Sequence, residues 1–181
     1  MNERNEGGGN ALAWGNLVHL SYNMWEDRFA PERANRCYNP ELRFDDSLWN
    51  DILAWMREAG MNMLVLDLGD GVRYESYPEI AVKNAWSRPR LRGEIARMRE
   101  MGIEPIPKLN FSSSHDTWLG MYARMLSTPP YYECCRDVIR EVVDLFDGPR
   151  FLHIGMDEET SGHQRYYNYV VVRQGQLWWD D

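Results

Sequence analysis

The sequence predicts an α/β fold of the (β/α) TIM-barrel type in which only about strands 1–4 are present. Apolar runs of strand length alternate with amphipathic stretches of helix length, in the order β-α-β-α-β-α-β. The loops after the strands are long and those before them are short, as at the two faces of a (β/α) barrel. A closed eight-stranded barrel takes about 250 residues, whereas this chain has 181. A doubly wound open sheet is the structural alternative, but no Gly-rich phosphate loop follows the first strand.

Each element has its own local signals. The predicted strands cover residues 16–25, 61–68, 103–111 and 150–156, and the predicted helices cover 47–59, 90–101 and 131–146. Ser47 is the expected N-cap of the first helix, and Gly60 and Gly102 are expected to stop the first two helices. Pro105 and Pro107 are awkward inside the third strand, because proline cannot donate to a sheet.

Polar residues recur on one face of each predicted strand, near its C-terminal end. By the two-residue period of a strand they are His19, Ser21 and Asn23 in the first, Asp67 in the second, Lys108 and Asn110 in the third, and His153, Gly155 and Asp157 in the fourth. Four strands that agree in this way predict a shared polar pocket in a barrel mouth.

Composition limits the partners. A net charge of −8 and a pI of about 5.1 argue against nucleic acid and favour a neutral or cationic ligand. Eight Trp and ten Tyr suit a surface that stacks on sugars, although core packing must account for most of them. Three cysteines give neither a disulfide framework nor a metal-binding spacing, so we expect packing thiols.

We expect a flexible N-terminal segment over residues 1–15 and one domain over residues 16–181. No signal peptide and no membrane-spanning run is present in the sequence as written, which predicts a cytoplasmic protein without a membrane partner.

The apolar run at residues 151–156 ends in three consecutive carboxylates, Asp157, Glu158 and Glu159. Like charges that are partly desolvated have raised pKa values, which favours general acid chemistry near neutral pH. The raised pKa makes Asp157 and Glu158 the first catalytic candidates. The alternative interpretation is that these acids lie in the first turn of a helix, where they interact well with the helix dipole.

Three motifs, in order, resemble the catalytic domain of the family 20 glycoside hydrolases, the β-N-acetylhexosaminidases. His153-Ile154-Gly155-Met156-Asp157-Glu158 is similar to that family's His-x-Gly-Gly-Asp-Glu motif, with Met156 in place of the second Gly. The stretches 68–75 and 102–115 are similar to its second-strand and third-strand segments, with Lys108 and Asn110 in place of Glu and Asp. The resemblance covers residues 16–159, which is the first half of that family's barrel.

The resemblance implies a glycosidase that removes terminal N-acetylhexosamine with retention, using the substrate's acetamido oxygen as nucleophile. Glu158 would be the acid and base, and Asp157 would orient the acetamido group. The substrate-binding candidates are Arg73, His115, Asp70, Asn110, His153 and Trp118. No cofactor and no metal is implied, and the expected partner is a carbohydrate.

Two other classes stay open. A divalent metal could be held by His153, Asp157, Glu158 and His163, although their spacing fits no strong metal-binding signature. The chain could also be a non-catalytic, carbohydrate-binding or truncated half barrel, in which case a homodimer of two copies would complete the barrel. His115 and His153 have a structural alternative as packed core histidines, and Asp70 has one as the cap of the turn at residues 69–71.

Overall fold

The computed structural model describes residues 12–25, 37–112, 114–126 and 128–156. They form an α/β fold with a three-stranded parallel sheet, in the order β1-β2-β3, and three helices. The elements are β1 (Gly15–His19), α1 (Asp46–Glu58), β2 (Met63–Asp67), α2 (Arg88–Glu100), β3 (Glu104–Lys108) and α3 (Pro129–Leu145). Short 3-10 turns follow β2 and β3, at Gly69–Gly71, Pro78–Ile80, Thr117–Leu119 and Tyr122–Met125.

The alternating order of strands and helices is confirmed, but the fourth strand is corrected to a short paired segment. His153 forms an isolated parallel bridge with Lys108, its backbone N–H donates to Pro107 O at 3.0 Å, and Leu109 N–H donates to His153 O at 2.9 Å. The extended run ends at Gly155, whose φ of +61° takes the chain out of strand geometry. A closed barrel is not seen in the described residues.

The two prolines of β3 are tolerated because of the side on which they lie. Glu104 N–H donates to Asn62 O on the β2 side, and Lys108 O accepts from Leu68 N–H on the same side. The intervening Pro105 and Pro107 therefore present their backbone groups to the opposite side, where Pro107 O accepts from His153. The missing N–H groups fall on the thinly paired side of the strand, so the β2–β3 ladder keeps its donors.

The hydrophobic core lies between the sheet and the helices. The central strand contributes Leu64 and Leu66, both without exposed surface. The helices contribute apolar positions at helical spacing, which are Trp49, Leu53 and Met56 of α1, Leu91, Ile95 and Met98 of α2, and Val138, Val142 and Leu145 of α3. Burying each large apolar side chain stabilises the fold by about 1.5–3 kcal/mol. None of the helices in the described ranges is long and apolar enough to cross a bilayer.

The helix ends correct one prediction and confirm two. Asp45, not Ser47, is the N-cap of α1, because its Oδ1 accepts from Ser47 N–H at 2.8 Å and from Leu48 N–H at 3.0 Å. Gly60 and Gly102 follow the first two helices with a φ of +75°, a conformation that glycine adopts without steric cost.

We expect Asp45→Ala to lower the free energy of unfolding by about 0.5–2 kcal/mol, because two N–H groups of α1 lose their acceptor. Ser47→Ala is the matched control and should be close to neutral. Chemical denaturation of both variants measures the difference. A larger loss in Ser47→Ala would show that the cap is assigned to the wrong residue.

Candidate functional site

Parallel pairing in register brings the polar ends of the strands into one row. His19 is the register partner of Asp67, and Asp67 is the register partner of Lys108. The bridge between Lys108 and His153 extends the row to the short paired segment at residues 153–155, which we call the fourth segment. The predicted shared polar face is therefore present at the C-terminal edge of the sheet.

Asp67 is the centre of this row. Its Oδ2 lies 2.8 Å from His19 Nδ1, 3.1 Å from Lys108 Nζ and 2.7 Å from Asn110 Nδ2. Asp67 is only 2% exposed and Lys108 only 6%, so this is a buried ion pair with two further donors. Such a pair tolerates burial because each lost water contact is replaced by a charged or hydrogen-bonded partner. We call His19, Asp67, Lys108 and Asn110 the Asp67 cluster.

The carboxylate also sets the orientation of His19. A neutral histidine that donates from Nδ1 keeps its free lone pair on Nε2, because the ring carries one proton. The His19 side chain is 21% exposed, and its ring lies against Tyr22 at a centroid distance of 4.8 Å. Asp67, His19 and Lys108 were recognised in sequence only as members of a polar face. Their contact depends on the register of the strands, which the structure supplies.

Asp70 forms a second buried acidic centre beside the first. Its Oδ2 accepts from Asn23 Nδ2 at 2.8 Å, while the same Asn23 exchanges hydrogen bonds with the backbone of Asn39. Oδ1 of Asp70 is buried and has no hydrogen-bond partner among the described residues. Asp70 is thus more than a cap of its own turn.

Burial raises the pKa of Asp70 from 3.8 to about 6, and the negative charge of Asp67 acts in the same direction. The polar side chains of Ser21 and Asn23 oppose this change. The two neighbouring carboxyl groups therefore differ in charge compensation. Asp67 forms an ion pair with Lys108, whereas no cationic side chain contacts Asp70 among the described residues.

Gly155 and Asn110 touch so closely that no side chain fits between them. A Cβ atom on Gly155 would lie 2.1 Å from Asn110 Oδ1 and 2.7 Å from its Cα, at a backbone φ of +61°. Gly155 N–H donates to His153 Nδ1 at 3.0 Å, which fixes that ring against its own backbone. The fourth segment is held on β3 at the point where the sequence approaches Asp157.

Two predicted substrate residues are largely buried. His115 is 7% exposed, with Nδ1 at 3.5 Å from Ser114 Oγ and its ring edge-on to Trp25. Trp118 is 3% exposed and donates from Nε1 to Asn110 O at 2.7 Å. Trp118 therefore acts first as packing that supports Asn110.

The other predicted residues are not brought together by the described chain. Arg73 is exposed, and its backbone N–H donates to Trp86 O, without a described contact to the Asp67 cluster. His153 joins the row through its backbone, and its side chain is exposed. Asp157, Glu158 and His163 lie outside the described residues. Within the described ranges, no group of three or more His, Cys, Asp or Glu residues could hold a metal ion.

Comparison with known proteins finds structural likeness without sequence matches. No protein-family model and no curated protein matches the chain. A mutant Streptomyces plicatus beta-hexosaminidase in complex with product (GlcNAc) superposes with a TM-score of 0.61 at 13% identity, covering 84% of this chain and 35% of that one. The Streptomyces plicatus N-acetyl-beta-hexosaminidase in complex with Thio-NAglucal gives a TM-score of 0.60 at 13% identity, covering 93% and 37%. Flavobacterium johnsoniae chitobiase gives 0.60 at 16% identity, covering 87% and 27%.

The fold of this chain is similar to part of the fold of these three structures. The chain spans roughly a third of the length of these similar structures. At such identities the likeness concerns the fold alone, so the chemistry must be argued from this chain's own residues.

The coupling between Asp67 and Lys108 can be measured by a double-mutant cycle. We expect Lys108→Met alone to destabilise the fold by about 3–5 kcal/mol, because a buried carboxylate loses its cation. Combined with Asp67→Asn, the loss should be smaller than the sum, with a coupling on the order of 1–3 kcal/mol.

The matched control is the exposed pair Arg92 and Asp144, which is 2.8 Å apart, against 3.1 Å for Asp67 and Lys108, and whose coupling should stay below about 1 kcal/mol. Equal coupling in the two cycles would contradict the buried ion pair.

Asp70 should lower stability as its carboxyl group ionises. Its pKa is higher in the folded than in the unfolded chain, so the folded state binds more protons between pH 3.8 and about 6, and stability falls as pH rises through that window. The full effect corresponds to about 3 kcal/mol. We expect Asp70→Asn to be progressively more stable than wild type from about pH 4 to about pH 7.5. Denaturation at several pH values tests this, and a pH-independent difference would contradict it.

Proposed function

We propose that this chain is the first half of a (β/α)-barrel glycosidase domain that removes terminal N-acetylhexosamine from carbohydrates. The observation that carries the proposal is the His153-to-Glu158 motif. It begins on the segment paired with β3, at the end of the polar row, in a chain whose fold resembles hexosaminidases. One of those structures holds the product GlcNAc.

In the proposed reaction the acetamido oxygen of the substrate attacks the anomeric carbon while Glu158 donates a proton to the leaving oxygen. Asp157 stays ionised, holds the acetamido N–H and offsets the positive charge of the resulting ring. Water then attacks the anomeric carbon, the bond between that carbon and the acetamido oxygen breaks, and Glu158 takes a proton from the water. Glu158 is thereby protonated again, and the released sugar keeps its anomeric configuration.

The described residues support this assignment by what they do next to the motif. Gly155 turns the chain two residues before Asp157, and Asn110 packs directly against it. An adjacent pair such as Asp157 and Glu158 would point in opposite directions on a regular strand. A turn at this point is therefore favourable for two neighbouring acids that must reach one sugar ring.

The departures from the family pattern have a local compensation. Lys108 and Asn110 stand where the family has two acids, and both donate to Asp67 on the neighbouring strand. Replacing two acids by Lys108 and Asn110 removes negative charge and adds a positive charge. The carboxylate of Asp67 on β2 balances that positive charge and accepts both hydrogen bonds, so the row remains a hydrogen-bonded polar network.

The described residues supply three strands and one short paired segment of a barrel. We propose that a second copy covers the sheet edge and completes the barrel as a homodimer. Light scattering of the purified chain would then show a dimer, and a stable monomer would count against it.

The catalytic assignment predicts sharp differences among three adjacent acids. We expect Glu158→Gln and Asp157→Asn each to lower kcat/KM on an aryl N-acetylglucosaminide by about 10²–10⁴-fold, because each removes a group that acts in the transition state. Glu159→Gln is the matched control and should keep wild-type activity. Equal loss in all three variants would indicate a structural effect and contradict the roles assigned.

A binding experiment separates hydrolysis from carbohydrate binding alone. An N-acetylglucosamine thiazoline mimics the cyclic intermediate and should bind wild type but not Asp157→Ala, as measured by calorimetry. If folded wild-type chain does not bind it, the substrate-assisted site is absent. Binding without turnover would instead indicate a non-catalytic half barrel.

A further inference from the structure

A separate cavity of about 270 Å³ opens between the loops that follow β2 and β3. Its lining does not include the Asp67 cluster. Its polar groups include the carboxylates of Asp70 and Glu79 and the phenols of Tyr38 and Tyr122, and Trp118 also lines it. The volume suits a small organic molecule, at the lower end of the range for ligand sites.

The charge of this cavity is negative and lacks a counter-charge. Asp70 and Glu79 are its two ionisable acids, and no Lys, Arg or His belongs to its described lining. Glu79 accepts from Tyr122 Oη at 2.8 Å, and that hydrogen bond raises the pKa of Tyr122 to about 12, so the phenol keeps its proton. Tyr38 is also held neutral, since burial and the charge of Asp70 raise its pKa.

Asp70 supplies the observation that points to a ligand. It is 2% exposed, yet its Oδ1 has no hydrogen-bond partner within the described chain. A buried carboxylate oxygen without a donor costs stability, and such costs persist at sites where a ligand supplies the missing partner.

We propose that this cavity binds a small organic ammonium ion, which donates to Asp70 and is balanced by Glu79. A neutral hydroxyl would supply the missing hydrogen bond but no positive charge to offset the two carboxylates. An ammonium group supplies a hydrogen bond and a positive charge together, and the electron-rich rings of Tyr38 and Tyr122 add favourable contacts for a cation. Anions are repelled by the same charges. This site lies beyond the proposed glycosidase reaction and does not depend on it.

The test uses two probes of similar shape and different charge, cyclohexylammonium and cyclohexanol. Each is titrated into the folded chain at constant ionic strength and followed by two-dimensional NMR, with Gly120 N–H and Trp118 Nε1–H as reporters from the cavity wall. We expect saturable shifts with cyclohexylammonium and at least tenfold weaker binding of cyclohexanol.

Three variants connect the binding to the proposed residues. Asp70→Asn should weaken cyclohexylammonium binding about tenfold or more, and it should fold well because it removes a buried charge. Glu79→Gln keeps an acceptor for Tyr122 and should weaken binding to a smaller degree. Asp144→Asn, which changes an exposed acid of α3, is the control and should bind like wild type.

The proposal is overturned if neither probe gives saturable shifts, if both bind equally, or if Asp70→Asn binds as tightly as wild type. The two proposals fail separately, because the ammonium titration involves no hydrolysis and none of the carboxylates at positions 157–159.

Discussion

The polar edge of this protein depends on one constraint, the in-register parallel pairing of β1, β2 and β3 around the carboxylate of Asp67. The register sets His19 and Lys108 beside Asp67 on either neighbouring strand, and Asn110 reaches the same oxygen from just beyond β3. A shift of one residue would turn these side chains to the other face and leave charges in the apolar core. The register and the ion pair therefore reinforce each other.

This constraint divides the acidic groups of the edge into two kinds. Asp67 is satisfied by Lys108 and by hydrogen bonds with His19 and Asn110, so it organises structure and holds His19 with Nδ1 facing the carboxylate. Asp70, three residues further along, is equally buried but has an oxygen without a donor and a raised pKa. Buried charge that is left uncompensated is unfavourable in a folded protein, which makes Asp70 the group that a ligand would relieve.

The second organising contact is the close approach of Gly155 to Asn110. It holds the short fourth segment against β3. Asn110 also donates to Asp67, so the same contact connects this segment to the polar row. The proposed function would benefit from such a connection, because acids that act on one sugar ring need fixed positions.

The order of the elements was predictable from sequence because helix and strand periodicities are local, and glycines at 60 and 102 mark the helix ends. The polar face was also predictable, since alternation along a strand fixes which side chains share a side. Local signals failed at Asp45, where a carboxylate competed successfully with the nearby Ser47, and at the fourth strand, which Gly155 shortens.

What the sequence by itself determined was therefore the α/β class, the element order and the face on which the polar residues lie. Only the tertiary structure decided that Lys108 and Asn110 share the oxygen of Asp67, that Trp118 is packed rather than open, and that Asp70 borders a second cavity. The physical reason is that pairing, burial and charge compensation join residues far apart in the chain, and these depend on register and packing rather than on local pattern.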